Sequence, residues 1–254
     1  MKTMFVQRLF CGVFSALVLL SSWGTATAQD DAKSMLQVAR KQESMARGKK
    51  GEERERILRE ACVIYRKVPE TWPESTGECA RAWLALGRLN ARLKDGKSAR
   101  EAYEAVVDSD AAAKMKIQAL EGLAGLARRA KDWKGALELL QSIVSGYPDH
   151  PRSVASALLA QGKIYRRTKK WQAAMAKAEK VLSTFPTLWR SNVAAADLAL
   201  GVLTDTRHWP EAIAKLAEYD RLLEKRFQGD EAWPRVQAAM AKMRGRRRLT
   251  PLPL

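Results

Sequence analysis

Side chains that could perform acid–base or metal chemistry are few in this sequence. Its 254 residues include two histidines, His150 and His208, and three cysteines. His150 lies between Asp149 and Pro151, a context typical of a residue that starts a helix. No spacing of His, Cys and carboxylate residues suits a metal ion, and no glycine-rich phosphate loop occurs. We therefore expect no catalytic residues, no metal site, no cofactor and no enzymatic activity.

Positive charge is the chemistry that the sequence offers. The chain has 45 lysine and arginine residues against 28 aspartate and glutamate residues, a formal net charge of +17. Such an excess favours acidic partners, anionic lipid surfaces or nucleic acid. We expect a basic flexible tail over residues 246–254, either a contact for an anionic surface or a solvated terminus. The arginines of this C-terminal run are Arg244, Arg246, Arg247 and Arg248.

The N-terminal residues have the layout of a secretory signal peptide. Lys2 and Arg8 precede an apolar run of about 12 residues, and a stretch of small residues ends at Ala28. The run is too short for the roughly 20 residues that span a bilayer. We therefore expect a signal peptide over residues 1–28 and a periplasmic or secreted protein. Its removal takes two basic residues and no acidic residue, which leaves a net charge of +15.

Cys62 and Cys79 remain after removal of this segment, and an oxidising compartment permits one disulfide between them. Two buried free thiols are the alternative. On consecutive antiparallel helices the two sulfur atoms can differ in height by about a turn, roughly 5 Å. The sequence leaves both alternatives open.

A spacing of 37 to 38 residues recurs along most of the chain. Trp133, Trp171 and Trp209 lie 38 residues apart, and an alanine follows each of them after three residues. Ala99 and Ala61 continue the alanine series toward the N-terminus. We therefore expect about five repeated units, with the tryptophans at the start of each second helix.

Each unit is predicted to contain two helices, because apolar residues recur at spacings of three and four on both sides of a short polar break. A lone helical pair cannot bury its apolar stripe, so the units must stack into a solenoid. We expect one closing helix from Asp230 to Arg244, ended by Gly245. Small residues share one position of the first helix and predict a close approach of the second helix there: Gly87, Ala124 and Gly162.

Landmark residues of the units match those of a known family. They are Trp83, Leu86, Gly87, Ala99 and Tyr103 in the first complete unit, and Leu158, Gly162, Tyr165, Ala174 and Pro186 in the third. On these residues the sequence resembles the tetratricopeptide repeat family over most of residues 31–227, although the usual unit has 34 residues. It is similar to exported bacterial members in Tol-Pal accessory proteins and outer-membrane assembly lipoproteins. The resemblance implies an all-α fold, an α-α superhelix that forms a right-handed solenoid over residues 29–245.

The resemblance also implies a binding surface, because first helices in this family line a concave groove that holds partner peptides. A basic groove would select acidic or carboxylate-ended segments, since guanidinium groups suit carboxylates and phosphates. Ordinary helix-end charges that offset the helix dipole are the alternative for most of these residues. The groove positions of this sequence carry seven cations: Arg88, Arg92, Arg128, Arg129, Lys163, Arg166 and Arg167.

The leading functional hypothesis is a non-enzymatic scaffold or adaptor of the bacterial cell envelope with an acidic protein or peptide partner. One alternative is a polyanion or envelope-surface binding protein that acts through net charge and the arginine-rich tail. Another is an auxiliary subunit of an envelope enzyme complex. We expect no small-molecule substrate, and nucleic acid is the least expected partner of an exported chain.

The signal peptide gives a first prediction. Expression of the full chain in a Gram-negative host should yield a mature protein that begins at Gln29, because Ala26 and Ala28 supply the small residues before the cut. N-terminal sequencing checks this result, and Ala28→Arg is a control that should block the cleavage. A product that keeps Met1 would contradict the prediction.

Overall fold

A computed structural model describes residues 28–247 of the chain, and the side chains of residues 28–245. These residues form eleven helical segments, and no strand occurs among them. The predicted signal peptide up to residue 27 and the tail residues 248–254 lie outside this range. Helix α1 covers residues 28–45 of the range. The others are α2 (Gly51–Thr71), α3 (Thr76–Arg92), α4 (Gly96–Asp108), α5 (Ala113–Arg129), α6 (Trp133–Gly146), α7 (Pro151–Arg167), α8 (Trp171–Thr184), α9 (Trp189–Asp205), α10 (Trp209–Phe227) and α11 (Trp233–Arg247).

Consecutive helices pair as the predicted hairpins. Helix α3 packs on α4, α7 on α8, and α9 on α10. Hairpins also stack on their neighbours, because α2 contacts α3, α8 contacts α9, and the first helices α7 and α9 contact each other. The predicted all-α helical repeat is confirmed, and α9 and α10 form one of its hairpins.

The described residues divide into two compact units, with the boundary between Leu126 and Ala127, inside α5. In the first unit, α1, α2 and α3 share an apolar core that includes Tyr65 and Leu89. In the second unit, α7 to α10 enclose a core that includes Leu158 and Leu200. Each core is assembled from the inward stripes of several hairpins, as expected for repeats that are too small to bury their apolar faces alone.

The tryptophan series marks the starts of second helices, as predicted. Helices α6, α8 and α10 begin at Trp133, Trp171 and Trp209. The environments of the three side chains differ, because the first two are half-buried whereas Trp209 is 46% exposed. Equivalent positions in the repeat therefore do not give equivalent burial.

The turns inside four hairpins share one backbone conformation. Lys94, Lys131, Lys169 and Arg207 have positive φ angles between 58° and 63°. In each turn the N–H of the next residue donates to the carbonyl oxygen five residues earlier, over 2.8 to 2.9 Å, which is the Schellman pattern. Glycine is the usual residue at this left-handed position. A cation here offsets the negative end of the preceding helix dipole.

Tyr103 of α4 lies against two glycines of the first unit. A Cβ atom built on Gly87 would approach the tyrosine ring to 2.6 Å, and one on Gly122 would come closer still. The close approach predicted at Gly87 is confirmed, and Gly122 is an additional site that the sequence pattern did not reveal. A Cβ atom on Gly162 would meet Leu198 of α9 first, and it would also approach the Cβ of Lys177 to 3.3 Å and the carbonyl oxygen of Ala174 to 3.5 Å in its own second helix, α8. This glycine therefore admits both helices.

Helix α11 extends past its expected end. It runs Trp233–Arg247 and contains Gly245, so the prediction that Gly245 ends the helix is wrong. A single glycine inside a helix costs only about 1 kcal/mol relative to alanine, which does not by itself end the helix. Arg246 and Arg247, with which the expected tail begins, are helical.

The two cysteines are buried free thiols, and the disulfide that the sequence permits is not formed in this structure. The Sγ of Cys62 lies 3.6 Å from the side-chain oxygen of Asn90, whereas the Sγ of Cys79 donates to the carbonyl oxygen of Trp72 over 3.2 Å. Burial raises the pKa of Cys62 to about 11 and also raises the pKa of Cys79. Both groups therefore remain protonated at neutral pH.

The tyrosine contact gives a stability prediction. Gly87→Ala should lower the free energy of unfolding by about 1 to 3 kcal/mol, because the added methyl group collides with the ring of Tyr103 and Gly122 leaves the ring no room to retreat. Gly77→Ala is the control in the same helix, where no atom lies within 4 Å of the Cβ position, and it should change stability by at most about 1 kcal/mol in the favourable direction. Urea denaturation measures the free energy of unfolding of both variants. Equal values for Gly87→Ala and Gly77→Ala would contradict this packing.

Candidate functional site

The seven predicted groove cations fall in both units of the chain. Arg88 and Arg92 lie on α3 in the first unit. The other five belong to the second unit, and we call them the second basic surface: Arg128, Arg129, Lys163, Arg166 and Arg167.

Both α3 arginines are paired with Glu43 of α1. Arg88 Nη2 lies 3.5 Å from Glu43 Oε2, and Arg92 Nη1 lies 3.4 Å from Glu43 Oε1. The arginine side chains are about half exposed, at 54% and 49%, whereas the Glu43 side chain is 20% exposed. A carboxylate of the same unit therefore already interacts with the two arginines assigned to a partner.

Tyr65 of α2 fixes the position of this carboxylate. Its hydroxyl donates to Glu43 Oε2 over 3.2 Å. Burial, followed by the negative charge of Glu43, raises the pKa of Tyr65 to about 12, so the hydroxyl keeps its proton and remains a donor at neutral pH.

The side chains around Glu43 form an open cleft of ≈ 760 Å³ that we call the first basic cleft. Residues from the end of α1, the following turn, the first half of α2 and the end of α3 line it. Sequence reasoning missed the cations outside α3, because they come together only through the packing of α1 and α2 against α3. The charged residues of the cleft are Arg40, Glu43, Arg47, Lys49, Arg54, Arg88 and Arg92.

Arg166 of the second basic surface is held by an ion pair with two hydrogen bonds. Its Nε donates to Asp205 Oδ2 over 2.7 Å, and its Nη2 donates to Asp205 Oδ1 over 3.0 Å. Asp205 ends α9, the first helix of the next hairpin. None of the seven predicted groove cations lies on α9. Asp205 of α9 instead pairs with Arg166 of α7, the last helix that carries such cations.

The remaining cations of the second basic surface differ in their contacts. The guanidinium of Arg167 lies 5.4 Å from the ring centre of Trp133, a cation–π distance. Arg129 also makes an interaction of its own. Arg128 and Lys163 are exposed, and neither has an ion pair within 4.0 Å among residues 28–245. These two cations are the ones that an anionic partner could bind without first breaking an internal contact.

Arg244, the first arginine of the C-terminal run, belongs to the helical fold. It pairs with Asp220 of α10, and the side chains of the two residues are 38% and 23% exposed. Arg244 therefore links α11 to α10 through an ion pair and is not part of a free tail. The side chains of Arg246, Arg247 and Arg248 lie outside the described part of the chain.

Within residues 28–247, no group of three or more His, Cys, Asp and Glu side chains is arranged to hold a metal ion. None of the helices in the same range combines the length and the apolar character needed to cross a bilayer.

Comparison with known families identifies the repeat. Residues 72–115, 118–150 and 156–187 match tetratricopeptide repeat profiles. These stretches include most of the three central hairpins, from α3 to α8.

Comparison with solved structures supports the same fold. A structure described as "Functional Characterization of Pseudomonas Aeruginosa pilF" matches with a TM-score of 0.54 and 20% sequence identity. The match covers 91% of this chain and 95% of the other. A comparison with curated protein sequences gave no significant match.

The ion pair of Arg166 gives a prediction that separates fixed cations from available ones. Arg166→Glu should lower the free energy of unfolding by about 1 to 2 kcal/mol, because a two-point pair is lost and two carboxylates then face each other. Arg128→Glu, the matched control, should change it by less than about 0.5 kcal/mol. Thermal and urea denaturation check both values. The double variant Arg166→Glu/Asp205→Arg should regain stability, and a failure to do so would contradict a direct pair.

Proposed function

We propose that this chain, whose residues 72–115, 118–150 and 156–187 are tetratricopeptide repeats, is a non-enzymatic scaffold that binds acidic or carboxylate-ended protein segments. Tetratricopeptide repeats generally mediate protein–protein interactions, which supports the scaffold role. The observation that carries the choice of partner is the pair of exposed cations Arg128 and Lys163, which make no ion pair among residues 28–245.

The chemistry of this surface favours carboxylates. A guanidinium group offers five N–H donors in a planar fork, and an ammonium group adds a compact positive charge. Arg167 stays positively charged in its cation–π contact with Trp133, so it adds to the local positive potential while that contact is kept. Complementary charge of this kind increases the rate of association with an acidic segment, and salt weakens the effect because exposed charges are screened within about 8 Å at physiological ionic strength.

The proposal includes the bacterial cell envelope as the compartment, with the protein periplasmic or secreted. Its support is the layout of residues 1–28, in which two basic residues accompany an apolar run that ends in small residues. An exported protein with net charge +15 would meet acidic proteins and anionic surfaces rather than nucleic acid.

The binding surface is tested with a charge-reversal pair. Arg128→Glu/Lys163→Glu should weaken binding of the natural partner more than tenfold, because each change replaces an attraction by a repulsion. The partner is first recovered by pull-down with the chain from residue 29, using envelope extract, and affinity is then measured by isothermal titration calorimetry.

The matched control reverses two exposed cations on second helices of the same unit, Lys134→Glu/Lys180→Glu. It makes the same change in net charge and should alter the affinity less than threefold. Equal losses in the two double variants would show that net charge alone attracts the partner. Removal of Arg246 to Leu254 then distinguishes the tail, because only binding through the tail would be lost in the truncated chain.

A further inference from the structure

The first basic cleft carries more positive charge than its internal carboxylate balances. Lys49 pairs with Glu53 at 2.7 Å, and Glu43 is shared by Arg88 and Arg92. The three remaining cations of the cleft have no ion pair within 4.0 Å among the described side chains: Arg40, Arg47 and Arg54. The cleft is therefore an uncompensated positive concavity, whose low-dielectric walls concentrate the electrostatic potential.

The contacts of Glu43 are longer than those of the Arg166–Asp205 ion pair. Its oxygens lie 3.4 and 3.5 Å from the two arginines, whereas the Arg166–Asp205 pair has contacts of 2.7 and 3.0 Å. Charge-assisted hydrogen bonds of full strength are about 2.7 to 2.9 Å long. Most N–H groups of the two half-exposed guanidinium groups are thus open to a second, better placed carboxylate.

The nature of the lining indicates what the cleft can hold. Its volume of ≈ 760 Å³ is in the range of ligand-sized sites, about 300 to 1,000 Å³, but such sites are usually lined by apolar and aromatic side chains. Here the apolar lining residues are Ala46 and Leu58, and no aromatic side chain lines it. An occupant must therefore be selected by several negative charges rather than by an apolar anchor.

We propose that the first basic cleft is a docking site for a segment of a partner protein that carries several carboxylates, with Glu43 as its internal competitor. This inference rests on the proposed scaffold function, which supplies the reason to choose a protein segment over other anions. Tyr65 holds the Glu43 carboxylate at the base of the cleft, where it weakens the attraction for an incoming anion. Arg40, Arg47 and Arg54 bind the additional carboxylates of the partner.

The test uses the chain from residue 29 to residue 254 and a fluorescein-labelled hexaglutamate peptide, with hexaglutamine as the uncharged control. Fluorescence anisotropy at low salt measures the affinity. The variant Arg40→Gln/Arg47→Gln/Arg54→Gln should bind hexaglutamate at least about tenfold more weakly. A matched variant removes three charges elsewhere on α2, by Arg56→Gln/Arg59→Gln/Arg66→Gln, and should lose less than about threefold.

Glu43→Gln tests the competitor. Removal of its negative charge should tighten hexaglutamate binding about fivefold, since the arginines lose their internal partner. A purely structural role for Glu43 would instead lower the melting temperature and leave the affinity unchanged or reduced, and that result would overturn the competitor. Thermal denaturation of every variant confirms that it is folded.

The remaining outcomes separate this inference from the proposed function. Equal weakening in the two triple variants overturns the cleft as a site. If the natural partner still depends on Arg128 and Lys163, the proposed function stands while the inference fails. Vesicles that contain phosphatidylglycerol provide the last comparison. A cleft variant that loses vesicle binding but keeps hexaglutamate binding would assign the cleft to a lipid surface and overturn the peptide.

Discussion

Burial of each hairpin's apolar stripe against the next hairpin is the constraint on which the rest of this structure depends. A single pair of helices has too little core to be stable, so first helices such as α7 and α9 must lie side by side. Side-by-side packing requires small residues at the contact, and it explains why Gly162 accommodates Leu198. The same arrangement brings together the ends of successive first helices, where Arg166 meets Asp205, 39 positions later in the sequence.

Internal pairing then divides the many cations into two kinds. Asp205 and Asp220 each hold an arginine that the sequence assigned to a binding surface, and these arginines now connect neighbouring helices. Glu43 holds two more, but over longer distances. An excess of basic residues therefore does not by itself define an interface. The cations that can bind a partner directly are those that form no ion pair with an internal carboxylate.

The sequence predicted the hairpins well because their determinants are local and periodic. The 38-residue spacing of Trp133, Trp171 and Trp209 reports the start of a helix directly, whereas the 46% exposure of Trp209 depends on which side chains cover it. The candidate site was less predictable, because it also depends on contacts between helices that are distant in the sequence. Glu43 and its two arginines are 45 and 49 residues apart, so their pairing follows from how helices pack and not from any spacing within one helix.

The four left-handed turns have a consequence for how readily this protein can change. Lys94, Lys131, Lys169 and Arg207 hold a backbone conformation that costs an ordinary residue about 1 kcal/mol or more, and none of them lines the first basic cleft or belongs to the second basic surface. Glycine or asparagine at these positions would relieve that strain. The protein thus has a reserve of attainable stability in its turns, which could offset destabilising substitutions in the first basic cleft or on the second basic surface.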